Sequence, residues 1–170
     1  MLYKLARDDR RSHSPGWCPQ DDSILAQASA ALRFRFGRLG QLTEGENEVP
    51  ASVGYLVIDT VDPAALTPFW CGLLEVEIAT TIGDGQFVVL SPAKGGLTIG
   101  FQRVPEAKAG KNRLHLDLIV GDLENATAEI EGLGGRWLEP GNTRELEGFQ
   151  WRIMADPEGN EFDIDVLPPS

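Results

Sequence analysis

Residues 55–62 read Tyr-Leu-Val-Ile-Asp-Thr-Val-Asp, and residues 115–122 read His-Leu-Asp-Leu-Ile-Val-Gly-Asp. The two stretches align at a spacing of sixty, and Gly72-Leu73 matches Gly132-Leu133 at that same spacing. Each is an apolar, β-branched run that ends on Asp, the signature of a strand leading into a helix N-cap. Downstream of Asp62, Pro63 opens a helix over 63–75, the favoured place for proline. Downstream of Asp122, Leu123, Ala126, Ile130 and Leu133 recur at three and four, and Gly134-Gly135 closes the second helix. Three strands then follow each helix. In the first half they lie in 76–85, 86–96 and 97–105, broken by Gly83-Asp84-Gly85 and by Pro92-Ala93-Lys94-Gly95-Gly96. In the second half they lie in 136–140, 149–157 and 160–168. A repeat of this length means two copies of one unit, neither able to bury its sheet face alone. The pattern predicts an α+β fold of two βαβββ modules, module one over 51–105 and module two over 112–168, pairing into a curved mixed sheet around a cleft.

The repeat begins only after Val49-Pro50, which divides the chain into an N-terminal extension over 1–50 and a domain over 51–170. Residues 1–21 mix Arg, Asp, Ser, Pro and Gly without period. Residues 22–36 suit a helix capped by Asp22 or Ser23, and the Arg33/Arg35 and Phe34/Phe36 alternation suits a short strand equally. The extension is expected to be poorly ordered or loosely docked. The codons of Glu44-Gly45-Glu46-Asn47-Glu48 are purine-rich, like a bacterial ribosome-binding site, so a second translation start at Val49 is a hypothesis. Finding residues 1–48 by mass spectrometry in the natively made protein would end it.

Hydrophobic residues make up 42% and charged residues 24%, ordinary values for a globular chain. No apolar run reaches the roughly 18 residues of a membrane span, and the N-terminus lacks the apolar stretch of a secretory signal. A cytoplasmic protein is the default expectation. Cys71 sits in the run Phe-Trp-Cys-Gly-Leu-Leu and reads as a small buried hydrophobe, while Cys18 lies among polar residues; no disulfide between them is expected. Residues 1–50 carry seven basic and seven acidic side chains, and residues 51–170 carry eight and nineteen, so the net charge of −11 belongs to the domain. Such a surface repels phosphate backbones and attracts cations, which argues against nucleic-acid partners.

Three stretches carry a family resemblance: Val57-Ile-Asp-Thr-Val-Asp-Pro-Ala-Ala-Leu-Thr-Pro-Phe-Trp-Cys-Gly-Leu-Leu74, Phe101 to Leu118, and Met154-Ala-Asp-Pro-Glu-Gly-Asn-Glu-Phe-Asp-Ile164. With them the chain resembles the vicinal oxygen chelate superfamily, and most of all its small bacterial glyoxalase-like domains, over about residues 52–168. The resemblance implies the glyoxalase/bleomycin-resistance/dioxygenase fold and commonly one divalent metal in the cleft, Mn²⁺, Ni²⁺, Zn²⁺, Fe²⁺ or Mg²⁺. Reactions across the superfamily include isomerisation, extradiol cleavage, epimerisation and thiol addition to an epoxide, and some members hold a drug without metal. It implies ligands from the first and last strands of each module. Those positions carry His115 and Asp163 in module two, where the family's usual last residue is Glu. In module one they carry Tyr55, where His is common, and no carboxylate, leaving Gln102 as the oxygen donor.

A catalytic metal site generally has three protein ligands and one open position. His115, Asp163 and Gln102 would make a weakened version of such a set, with oxygen donors suited to hard cations. Tyr55 ligates only when deprotonated, from a pKa of about 10. Strand alternation puts Asp117 on the face of His115, where it could orient the imidazole, and puts Asp163 and Asp165 on one face of the last strand. The register of Phe149-Gln-Trp-Arg-Ile-Met154 decides whether Trp151 or Arg152 faces the cleft. Phe69 and Trp70 read as core, and Glu158-Gly-Asn-Glu161 as a turn without catalytic duty. No residue is assigned as catalytic. Two functions follow. One is a metal-dependent lyase, isomerase or dioxygenase with an incomplete ligand set. The other is a metal-free protein of bleomycin-resistance type that holds a cationic or aromatic small molecule among Tyr55, Asp117, Trp151 and Asp165. A non-catalytic accessory protein is the third reading, and a homodimer is expected in each.

Overall fold

The computed structural model describes residues 53–168. The readings of residues 1–50, Cys18 included, lie outside the described residues.

Module one runs β1 (Leu56–Thr60), α1 (Pro63–Leu74), β2 (Ile78–Ile82), β3 (Phe87–Leu90) and β4 (Ile99–Arg103). Module two runs β5 (Asp117–Ile119), α2 (Leu123–Gly132), β6 (Arg136–Trp137), β7 (Arg144–Leu146), β8 (Phe149–Ala155) and β9 (Glu161–Val166). The first sheet has the order β1-β4-β3-β2 and the second β5-β9-β8-β6, with β7 paired to β8. In each, the first and last strands are parallel and the rest antiparallel. Module two thus has one strand more than its sequence suggests, the β7–β8 hairpin. Its first strand is also shorter than 113–121, which leaves His115 just ahead of β5.

The caps repeat as the sequence does. The Asp62 carboxylate accepts from the Ala64 N–H, and the Asp122 carboxylate from the Asn125 N–H. Thr67 and Thr127, again sixty apart, each donate a hydroxyl hydrogen bond to the carbonyl four residues back, at 2.6 Å. Both helices cover the same side of their sheets. There Leu66, Phe69, Trp70, Val88, Leu90, Ile99 and Phe101 of module one join Leu123, Ile130, Met154, Phe162 and Ile164 of module two in one apolar core. The Phe162 ring meets Phe69 edge-on at 6.0 Å and lies tilted against Trp70 at 5.3 Å. A Cβ on Gly72 would stand 2.8 Å from Leu133 Cδ2, so the absence of a side chain lets the end of α2 pack against α1. Cys71 is an unpaired thiol beside this core.

The β8–β9 turn ties the modules together. Buried Asp156 accepts from the Trp70 indole N–H at 3.2 Å, from the backbone N–H groups of Glu158 and Asn160, and from the Asn160 amide. That arrangement aims Glu158 at the β1–α1 corner. There its carboxylate accepts from the Thr60 hydroxyl at 2.6 Å and from the Val61 and Asp62 N–H groups at 3.2 Å each. Glu161 holds the inter-module linker through Lys108 at 3.0 Å and the Asn112 N–H at 3.0 Å. No helix among the described residues is long and apolar enough to cross a membrane.

Candidate metal and ligand site

The two sheets each turn one face to the helices and leave the other free of them. Since side chains of directly paired residues share a face, register identifies what stands on the helix-free side. In module one Val57 pairs with Gly100 and Asp59 with Gln102, while Phe87 pairs with Gln102 and Val89 with Gly100. In module two Asp117 pairs with Asp163 and Ile119 with Asp165, while Trp151 pairs with Asp165 and Ile153 with Asp163. Applying the sixty-residue repeat to β1 and β5 makes the two sets correspond: Gly100 stands where module two has Asp163, Gln102 where it has Asp165, and Phe87 where it has Trp151.

The consequence for the ligand positions is direct. Module two brings His115, Asp117 and Asp163 together, with one imidazole nitrogen and two carboxylate oxygens all within 4.8 Å of one another. His115 Nε2 and Asp117 Oδ1 are 3.2 Å apart. Module one has Tyr55 and Gly100 in place of His115 and Asp163. A Cβ on Gly100 would meet Phe87 Cζ at 3.1 Å, so the benzyl ring fills the space where a longer side chain would begin. Tyr55 stands edge-on to the same ring at 6.1 Å. Module one therefore presents an aromatic wall, and Gln102 lies one pair further along, level with Asp165.

Trp151 shares its face with Asp165, and Arg152 points the other way. Arg152 is buried under α2, where it bonds Thr127 at 2.8 Å, Thr143 at 2.9 Å and the exposed Glu124, and stacks on Trp137 at 4.1 Å. Phe149 packs on Trp151 at 5.6 Å. β9 lies between β5 and β8, so its acids are not on a solvated edge.

Asp165 is only 2% exposed, and desolvation pushes its carboxyl up to about 6, with the charges of Asp117 and Asp163 adding to the effect. Desolvation also raises Asp163, and His115, Arg144 and Lys111 pull against that rise. Three acids on neighbouring strands, with His115 just ahead of β5, make a locus that favours a cation. Two features of this locus were not assigned before the register was known. Asp117 stands with His115 and Asp163, and Phe87 is the Tyr55 partner. The repeat spacing was the available signal for both.

A model of the glyoxalase-like domain matches residues 55–164. The chain belongs to this family. With that it is a vicinal oxygen chelate protein, a glyoxalase-like domain of two βαβββ modules. Among solved structures, a glyoxalase/bleomycin resistance protein/dioxygenase family enzyme from Burkholderia phytofirmans PsJN shares 20% identity at a TM-score of 0.56, over 69% of this chain and 99% of that one. The fosfomycin resistance protein FosX from Listeria monocytogenes, as a mutant complexed with Mn(II) and 1S,2S-dihydroxypropylphosphonic acid, shares 14% identity at 0.55, over 67% of this chain and 88% of that one. FosX from Mesorhizobium loti shares 12% at 0.54, over 74% and 94%. At these identities the likeness speaks for the fold. None of the curated proteins matches the sequence.

Proposed function

We propose that this glyoxalase-like protein binds a small molecule between the helix-free faces of its two modules, and that a divalent cation held by His115 and Asp163 takes part as in a lyase, isomerase or dioxygenase of the superfamily. The observation that carries the reading is the convergence of His115, Asp117 and Asp163 within 4.8 Å on one helix-free face. An imidazole and carboxylates suit Mn²⁺, Fe²⁺, Ni²⁺ or Zn²⁺. When bound, such an ion polarises two neighbouring oxygens of a ligand as a Lewis acid. The chain's own residues do the rest. Tyr55 and Phe87 give the ligand an apolar wall, Trp151 supplies a second aromatic surface, and Asp165 offers a carboxyl that holds a proton below about pH 6. Gln102, level with Asp165, donates or accepts a hydrogen bond from module one.

The missing module-one carboxylate favours a second reading, metal-free binding of a cationic aromatic molecule. Aromatic faces beside four acids, Asp117, Asp163, Asp165 and Asp59, suit such a guest. Elemental analysis of the purified protein separates the two, with His115→Ala and Asp163→Ala beside the wild type. The chelate reading expects near one divalent ion per chain in the wild type and loss of it in both variants. No ion even after reconstitution with Mn²⁺, Ni²⁺, Zn²⁺ and Fe²⁺ would sink it and leave the metal-free reading.

A further inference from the structure

Resting on the cation-binding reading above, we infer that Asp117 has taken over as the carboxylate ligand that module one lacks, so that the metal centre lies wholly within module two. At the module-one position corresponding to Asp163 stands Gly100, and Phe87 occupies the space beside it. No acidic side chain can be supplied from there. Asp117 sits directly across the β5–β9 ladder from Asp163, and its Oδ1 is 3.2 Å from His115 Nε2. Two ligand atoms that share one cation at about 2.1 Å lie roughly 3–3.4 Å apart when adjacent, which is the spacing of the His115–Asp117 pair, and the Asp163 carboxylate completes the set within 4.8 Å.

Two independent observations point the same way. Like charges directly opposite on a ladder destabilise it, yet Asp117 and Asp163 are so placed, and a cation between them would add to the relief that the neighbouring His115 gives. The carboxylate of Asp165, a residue 2% exposed on that same helix-free face, has no hydrogen-bond or ion-pair partner among the described residues. A buried carboxylate without a partner beside two others marks the place where a cation belongs.

The test is Mn²⁺ titration of the full chain, following the free-ion signal by electron paramagnetic resonance and the water relaxivity of the bound ion. Wild type is compared with Asp117→Ala, Asp163→Ala and Asp84→Ala, the last removing an exposed acid of the β2–β3 turn in module one. The centre expects one Mn²⁺ per chain, affinity at least tenfold lower in Asp117→Ala and Asp163→Ala, and unchanged affinity in Asp84→Ala. At saturation, Asp117→Ala should also show the relaxivity of one additional bound water, because a lost ligand is replaced by solvent. Near-wild-type affinity in Asp117→Ala, or weaker binding with unchanged relaxivity, overturns the role of Asp117 and leaves the cation reading standing. A wild type that binds no Mn²⁺ fails the cation reading itself.

Discussion

Asp165 is an acid kept where water barely reaches it, with two further acids on the same face. Its folded-state value of about 6 stands above the ordinary 3.8, so the folded chain binds the proton more tightly than the unfolded one. The stability this gives is complete below the unfolded value and is lost as pH rises through about 6. In the presence of a chelator, Asp165→Asn should therefore stabilise the fold at pH 7.5 by on the order of 2–3 kcal/mol relative to its effect at pH 4. Urea unfolding at the two pH values measures it, and a pH-independent difference would count against the account. Gly100 supports a second expectation at this scale. Gly100→Ala brings a methyl to 3.1 Å of the Phe87 ring and should cost about 1 kcal/mol, recovered by adding Phe87→Leu. Chemical denaturation of the single and double variants checks it. The acids and His115 were legible as residue types in strands, and alternation gave their faces. The level of Gln102 was not legible, because β4 and β9 share no identities that would align Gly100 with Asp163.

The helices were readable because their signals are local and occur twice, in Asp62 with Pro63 and in Asp122 with its apolar spacing. β7 was not, since Arg144-Glu145-Leu146 has no strand pattern of its own and exists by pairing with β8. The site of Arg152 was equally hidden. At the corresponding position module one has the core residue Val88, and module two puts a guanidinium there that only its tertiary partners satisfy. The side-chain hydrogen bond from Arg152 holds Glu124 below the usual carboxylate range. Arg152→Ala leaves Thr127 and Thr143 without their donor and opens a cavity under α2, so a loss of about 2–4 kcal/mol is expected in equilibrium unfolding. The β8–β9 turn is the element that joins the modules. Glu158→Ala removes the acceptor of Thr60 and of two backbone N–H groups at the β1–α1 corner and should cost about 1–3 kcal/mol. A melting temperature equal to that of the wild type would show that the corner holds without it.

Across the molecule, two copies of one unit have diverged into complementary halves, module one presenting Tyr55, Val57 and Phe87 and module two presenting His115 and three acids. The repeat made the paired architecture plain in the sequence, because both copies must bury the same helix-facing side. The division of labour between the helix-free faces was not plain, since nothing in the core constrains those residues. A cation that binds only the folded chain stabilises it by mass action, about 2.7 kcal/mol at a hundred times its dissociation constant, which for a domain of this size raises the melting temperature by roughly 10 °C. Mn²⁺ should produce that rise in the wild type and none in a chain carrying both His115→Ala and Asp163→Ala. The most direct measurement is an anomalous difference map from crystals grown with Mn²⁺. A single peak bounded by His115, Asp117 and Asp163, with no density reaching Gly100, is the result expected. A peak elsewhere, or none at saturating Mn²⁺, would contradict a metal centre built by module two alone.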